Sequence, residues 1–114
     1  MALNHTHLID SLLGPQAGAI AVLANASHAE LPQLGREPSA KALEAYIDIY
    51  LSTRAKPAGN PHAPIFKVEL PDNTIVTLAV GMELSRTYLA TGWVSCRHQA
   101  GSADNANASF LWMS

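Results

Sequence analysis

The strongest constraint on this chain is a spacing. Leu43, Tyr46, Ile47, Tyr50 and Leu51 fall at i, i+3, i+4, i+7 and i+8 within SAKALEAYIDIYLSTR, which is the apolar stripe of an amphipathic helix. Lys41, Glu44, Asp48 and Ser52 take the wet side. Ser39, directly after Pro38, is a good N-cap, and Arg54 suits the negative end of the helix dipole. The run AKPAGNPHAP then stops the helix, because its three prolines cannot continue one. A one-sided stripe must be buried against another element, so the fold needs a second layer.

The second half of the chain supplies candidates for that layer. PIFKVEL alternates, with Phe66, Val68 and Leu70 on one face and Ile65, Lys67 and Glu69 on the other. Pro71-Asp72-Asn73 is turn chemistry, and TIVTLAV after it is rich in β-branched residues. The two segments together predict a hairpin. MELSRTYLA puts Met82, Leu84, Arg86 and Tyr88 on one side if it is extended, and we read it as a strand in preference to a short helix. WVSCRHQ and ASFLWMS are further strands, separated by the polar loop AGSADNAN. Upstream, Leu8, Ile9, Leu12 and Leu13 lie on one helical face, and Pro15 opens a second helix to about residue 26. The expectation is a single α+β domain over residues 1–114. Two or three N-terminal helices (about 6–54) would pack on a C-terminal antiparallel meander of four or five strands (about 64–114), in two layers.

Charge narrows the partners. Charged residues make up 14% of the chain, well below the roughly 25% of typical domains. Either small polar residues cover the surface or another chain does. The seven Lys and Arg residues are scattered singly and the net charge is −2, so no basic stripe for nucleic acid forms. The longest uncharged apolar run, AGAIAVLANA, is too short to cross a membrane. The first ten residues lack the basic and apolar regions of a secretory signal. One cysteine suits a reducing compartment, so a cytoplasmic protein is expected.

No motif for chemistry stands out. Cys96 and His98 are i and i+2 on one strand face, roughly 7 Å apart along the chain. That is a poor geometry for a nucleophile and its base, and Val94 on the same face argues for a structural cysteine. His5 and His7 are the best chelating pair, but no zinc, EF-hand or P-loop spacing accompanies them, so neither metal nor cofactor is expected. Glu44 and Asp48 read as a solvated helix face, and Tyr46 and Tyr50 as core.

The last segment is apolar on both faces: Phe110 and Trp112 point one way, Leu111 and Met113 the other. Helices can cover one face, and a second subunit or a protein partner is an economical cover for the other. The first expectation is therefore a non-enzymatic binding protein acting through protein–protein contacts, a homo-oligomer, with Trp93, Phe110, Trp112 and Met113 as contact residues. Inhibitors, immunity proteins and accessory factors of bacteria and phages are often chains of this size. The alternative is a protein that binds or sequesters a small anionic ligand through Arg86, Tyr88, Arg97 and His98. An enzyme with His98 as base and Arg97 or Arg86 as electrophile ranks third.

Overall fold

The structure, a computed structural model, describes residues 4–6, 8, 31–54, 57–59 and 63–114. Within them two helices lie on one side of a three-stranded antiparallel sheet, an α+β arrangement in two layers. The two helices expected between about residues 6 and 26 fall almost wholly outside these residues. At the start of the first, His5, Thr6 and Leu8 are helical, and the Leu8 N–H donates to the Asn4 carbonyl at 3.1 Å.

Helix α1 (Ala40–Thr53) forms as its spacing requires. The Ser39 side chain accepts from the Ala42 N–H at 3.2 Å, and Ala40, Leu43, Tyr46, Ile47 and Leu51 make the buried stripe. The Arg54 N–H closes the last turn on the Tyr50 carbonyl. Strand β1 (Phe66–Leu70) alternates buried and exposed as expected.

The predicted hairpin does not form. Thr74 donates both its N–H and its hydroxyl to the Pro71 carbonyl, Asn73 adopts a φ of 65°, and the chain leaves the sheet. Thr77 then accepts from the Val80 N–H and caps helix α2 (Leu78–Leu89). TIVTLAV is thus split between an extended lead-in and a first helical turn, and MELSRTYLA is helix instead of strand. The reason is periodicity: Leu84 and Tyr88 are four apart and both fully buried, whereas Met82 and Arg86, also four apart, are exposed. Period two and a step of four are indistinguishable along the even-numbered residues alone.

Strands β2 (Cys96–Ala100) and β3 (Ser109–Met113) form a hairpin around the polar loop 101–108. Gly101 opens that loop at a φ of 82°, where a side chain would be strained. The described sheet has the order β1-β3-β2, with β3 antiparallel to both neighbours. This is not the four- or five-stranded meander predicted from the alternation. β1 and β2 are parallel across the central strand, and α2 connects them, a split βαβ arrangement.

The register sets two faces. Inward lie the rows Phe66–Met113–Cys96, Val68–Leu111–His98 and Leu70–Ser109–Ala100. Outward lie Lys67–Trp112–Arg97 and Glu69–Phe110–Gln99. The inward rows join Leu43, Ile47, Leu51, Leu84, Tyr88 and Trp93 in one apolar core. Tyr46 ties α1 to β1 by donating its hydroxyl to the Glu69 carbonyl at 2.7 Å. Among the described residues no helix is long and apolar enough to cross a membrane.

Candidate functional site

Helix α2 shows the core only one face. Its other face carries Leu78, Met82, Arg86 and Leu89, and this face, the Val76–Thr77 lead-in and the edge of β2 enclose a groove of about 660 Å³. The walls are Val76, Leu78, Met82 and Leu89, with Ser85 and Cys96 between helix and strand. Three longer polar residues line it: Arg86 from α2, and Arg97 and His98 from β2, His98 on the inward row of the sheet and Arg97 on the outward row. Among the described residues no aspartate or glutamate lines it. Leu78, Met82 and Leu89 are 81%, 57% and 51% exposed, high values for large apolar residues grouped together.

The ring of His98 is held by a hydrogen bond to Ser109. Its Nε2 lies 2.7 Å from Ser109 Oγ, and that hydroxyl donates its own proton to the Thr74 carbonyl at 3.1 Å. The hydroxyl must therefore accept from the ring, so Nε2 carries the proton and Nδ1 of the neutral ring is an acceptor. Ser109 is buried with its proton committed, which removes it as a nucleophile. Cys96 is buried as well, and burial pushes its thiol up to about 11, away from the reactive thiolate. Ser85 bridges helix and strand by donating to the Cys96 carbonyl at 2.9 Å.

Three of the four residues expected to anchor an anion, Arg86, Arg97 and His98, are thus brought together. The fourth is elsewhere. Tyr88 is fully buried between α1 and α2 and donates its hydroxyl to Asp48 Oδ1 at 2.7 Å. Burial and the adjacent Asp48 carboxylate raise its pKa, so it stays a neutral donor. The apolar walls were missed in the sequence because segment 78–89 was read as strand; Thr77 followed by apolar residues at helical steps was the signal that would have found them.

The expected contact residues also divide. Trp93 and Met113 are buried in the chain's own core, Met113 on the inward row and Trp93 in the turn after α2. Phe110 and Trp112 stand half-buried on the outer sheet face. Lys67 places its ammonium 4.0 Å from the Phe110 ring centre and 5.6 Å from that of Trp112. The Trp112 indole N–H donates to Gln99 Oε1 at 2.7 Å. The chain's own side chains therefore engage both rings. Among the described residues no three His, Cys, Asp or Glu side chains are grouped to hold a metal.

Burial lowers the pKa of two histidines, His98 and His5. His5 packs its ring edge-on against Trp93 at 4.7 Å, and its Nε2 is buried without a hydrogen-bond partner. A histidine pKa below its unfolded value of about 6.5 means that the unfolded chain binds more protons in the window beneath it. Stability is therefore full above about pH 6.5 and declines as pH falls from there through the folded pKa values. The urea midpoint is expected to be lower at about pH 5 than at pH 7.5, above the range where carboxylates titrate. Replacing His5 and His98 together by Gln should flatten that slope; a midpoint that holds or rises on acidification would contradict it.

Comparison with protein-family models, with curated proteins and with solved structures gave no match.

Proposed function

We propose that this chain is a non-enzymatic binding protein whose working surface is the groove between α2 and β2, and that its partner is anionic with an apolar body. The observation that carries this is the combination of Arg86 and Arg97 with exposed Leu78, Met82 and Leu89 in a groove to which the described residues bring no carboxylate. Arginine suits carboxylates through its planar array of donors, and an apolar wall next to it favours a partner with both characters. The single cysteine keeps the cytoplasm as the expected compartment.

Self-association through Phe110 and Trp112 is the second reading, supported by two adjoining aromatics on the outer face of β3. The groove is preferred because Lys67 and Gln99 already contact those rings, while the groove's apolar residues are more exposed.

Octanoate is a suitable probe, since it joins a carboxylate to a short apolar chain. In an amide-resolved NMR titration its shifts should centre on α2 and β2. Replacing Arg86 and Arg97 together by Ala should weaken binding by about tenfold, the loss of one or two charge-assisted hydrogen bonds in a partly solvated site. Equal affinity in that variant, or shifts confined to the outer face around Trp112, would refute the reading.

A further inference from the structure

The lining of the groove contains three consecutive strand residues, Cys96, Arg97 and His98. Neighbouring side chains of a strand point to opposite faces, so a groove touched by all three runs along the strand's edge. β2 is an edge strand of the described sheet. The backbone bonds fix which of its groups face outward. Ser95 and Ser114 exchange bonds at 3.1 and 3.2 Å, and the Gly101 N–H donates to the Ala108 carbonyl. In an antiparallel pair such exchanges alternate, so residues 95, 97, 99 and 101 turn their N–H and C=O groups to β3. Residues 96, 98 and 100 turn theirs away. The Cys96 carbonyl agrees, since it meets Ser85 on α2. By this alternation the backbone groups of His98 and Ala100 turn away from β3, and outside helices and strands no backbone bond joins them to the described residues.

Resting on the groove reading, we propose that the partner is an extended peptide with acidic and apolar residues in alternation, which adds as a strand to the edge of β2 left unpaired among the described residues. A strand laid there would place one set of side chains on the outer face beside Arg97 and the other set inward beside His98, toward the wall formed by Leu78 and Met82. Cross-strand neighbours are within reach of each other, so the outer set is acidic and the inner set apolar. The same rule disfavours a second copy of this chain as occupant. Its β2 would bring another Arg97 to an edge that already carries Arg86 and Arg97, with no acid among the described residues of the lining to meet them. Backbone bonds to an open edge supply affinity, and alternate pockets supply selectivity, in peptide recognition by strand addition.

The test uses the capped hexapeptide acetyl-Glu-Val-Glu-Val-Glu-Val-amide, two analogues N-methylated at all valines or at all glutamates, and octanoate. The parent peptide should bind and slow hydrogen exchange at the His98 and Ala100 amides. N-methylation at the valines blocks antiparallel addition and at the glutamates parallel addition, because only one set of amides faces β2. One analogue should therefore lose about tenfold or more in affinity, the effect of roughly two backbone hydrogen bonds, and the other should bind like the parent. If both bind like the parent, or if octanoate occupies the groove and the hexapeptide does not bind, strand addition is overturned while the groove reading stands. If neither probe binds, both fall. A free protein whose His98 and Ala100 amides are protected at high concentration and exposed on dilution would hand the edge to a second copy, which also overturns the proposal.

Discussion

Trp93→Ala is expected to destabilise the fold by about 3–5 kcal/mol, the usual cost of truncating a buried aromatic. Trp93 is 2% exposed and lies edge-on to three rings: His5 at 4.7 Å, Phe66 at 5.7 Å and Tyr88 at 6.3 Å. It therefore joins the inward face of the sheet to α2 and to the segment around His5. Its backbone N–H donates to the Tyr88 carbonyl, which fixes the chain just after α2 turns toward β2. A domain of this size has about 5–15 kcal/mol of stability in all, so the variant should retain only a small part of it. Trp112→Ala is the control. That ring is half-buried on the outer face and should cost no more than about 1 kcal/mol. Urea unfolding followed by circular dichroism measures both. A Trp93→Ala protein as stable as the parent but altered in oligomeric mass would restore Trp93 as an interface residue.

The two tryptophans show where the sequence is legible. Alternation in SFLWM separates Leu111 and Met113 from Phe110 and Trp112, and the structure keeps that separation. What alternation does not say is which set faces the core, because both are apolar. The choice depends on the neighbours in the register: β1 presents Phe66 and Val68 on one side and Lys67 and Glu69 on the other. Lys67 opposite Trp112 marks the outer face, so Met113 goes inward. The same information was present in FKVEL, but pairing β1 with β3 across a helix is a long-range fact that local pattern does not contain. The α1 stripe and its Ser39 cap, by contrast, are local and readable for Leu43, Tyr46, Ile47 and Leu51; Tyr50 is only partly buried, and Asp48, expected on the wet side, accepts from Tyr88, a contact that depends on α2.

The segment 74–89 was misread for a different reason. Ile75 and Val76 carry strand propensity, yet Thr77 caps a helix and Leu84 and Tyr88 anchor it. Burial of that pair outweighs the weak propensity of the residues before it. The consequence for function is direct. As a strand, the segment would set Met82, Arg86, Leu84 and Tyr88 on one surface. As a helix it sends Leu84 and Tyr88 to the core and leaves Met82 and Arg86 facing β2. Arg86, Arg97 and His98 were identifiable as candidates by residue type, but their meeting in one groove follows only once α2 is a helix.

Tyr88 makes that division testable. Its hydroxyl donates to Asp48 Oδ1 at 2.7 Å and lies 3.2 Å from the Glu44 carbonyl. It is the polar contact that locks α2 onto α1. Tyr88→Phe keeps the ring and removes the donor to a partly buried carboxylate, at a cost of about 1–3 kcal/mol. Tyr88→Ala also empties a fully buried site and should cost about 3–5 kcal/mol, enough to leave the protein close to unfolding. Neither expectation involves the groove, because Tyr88 faces away from Arg86 across the helix. Measured on the folded fraction, Tyr88→Phe should bind octanoate as the parent does while its urea midpoint falls. The reverse pattern, unchanged stability with weakened octanoate binding, would make Tyr88 a ligand anchor and would require α2 to be rotated from the position described. The face that holds Tyr88 in the core is opposite the one that turns Met82 and Arg86 toward the groove, so loss of the Asp48 contact lowers stability while the ring still sets the helix's rotation.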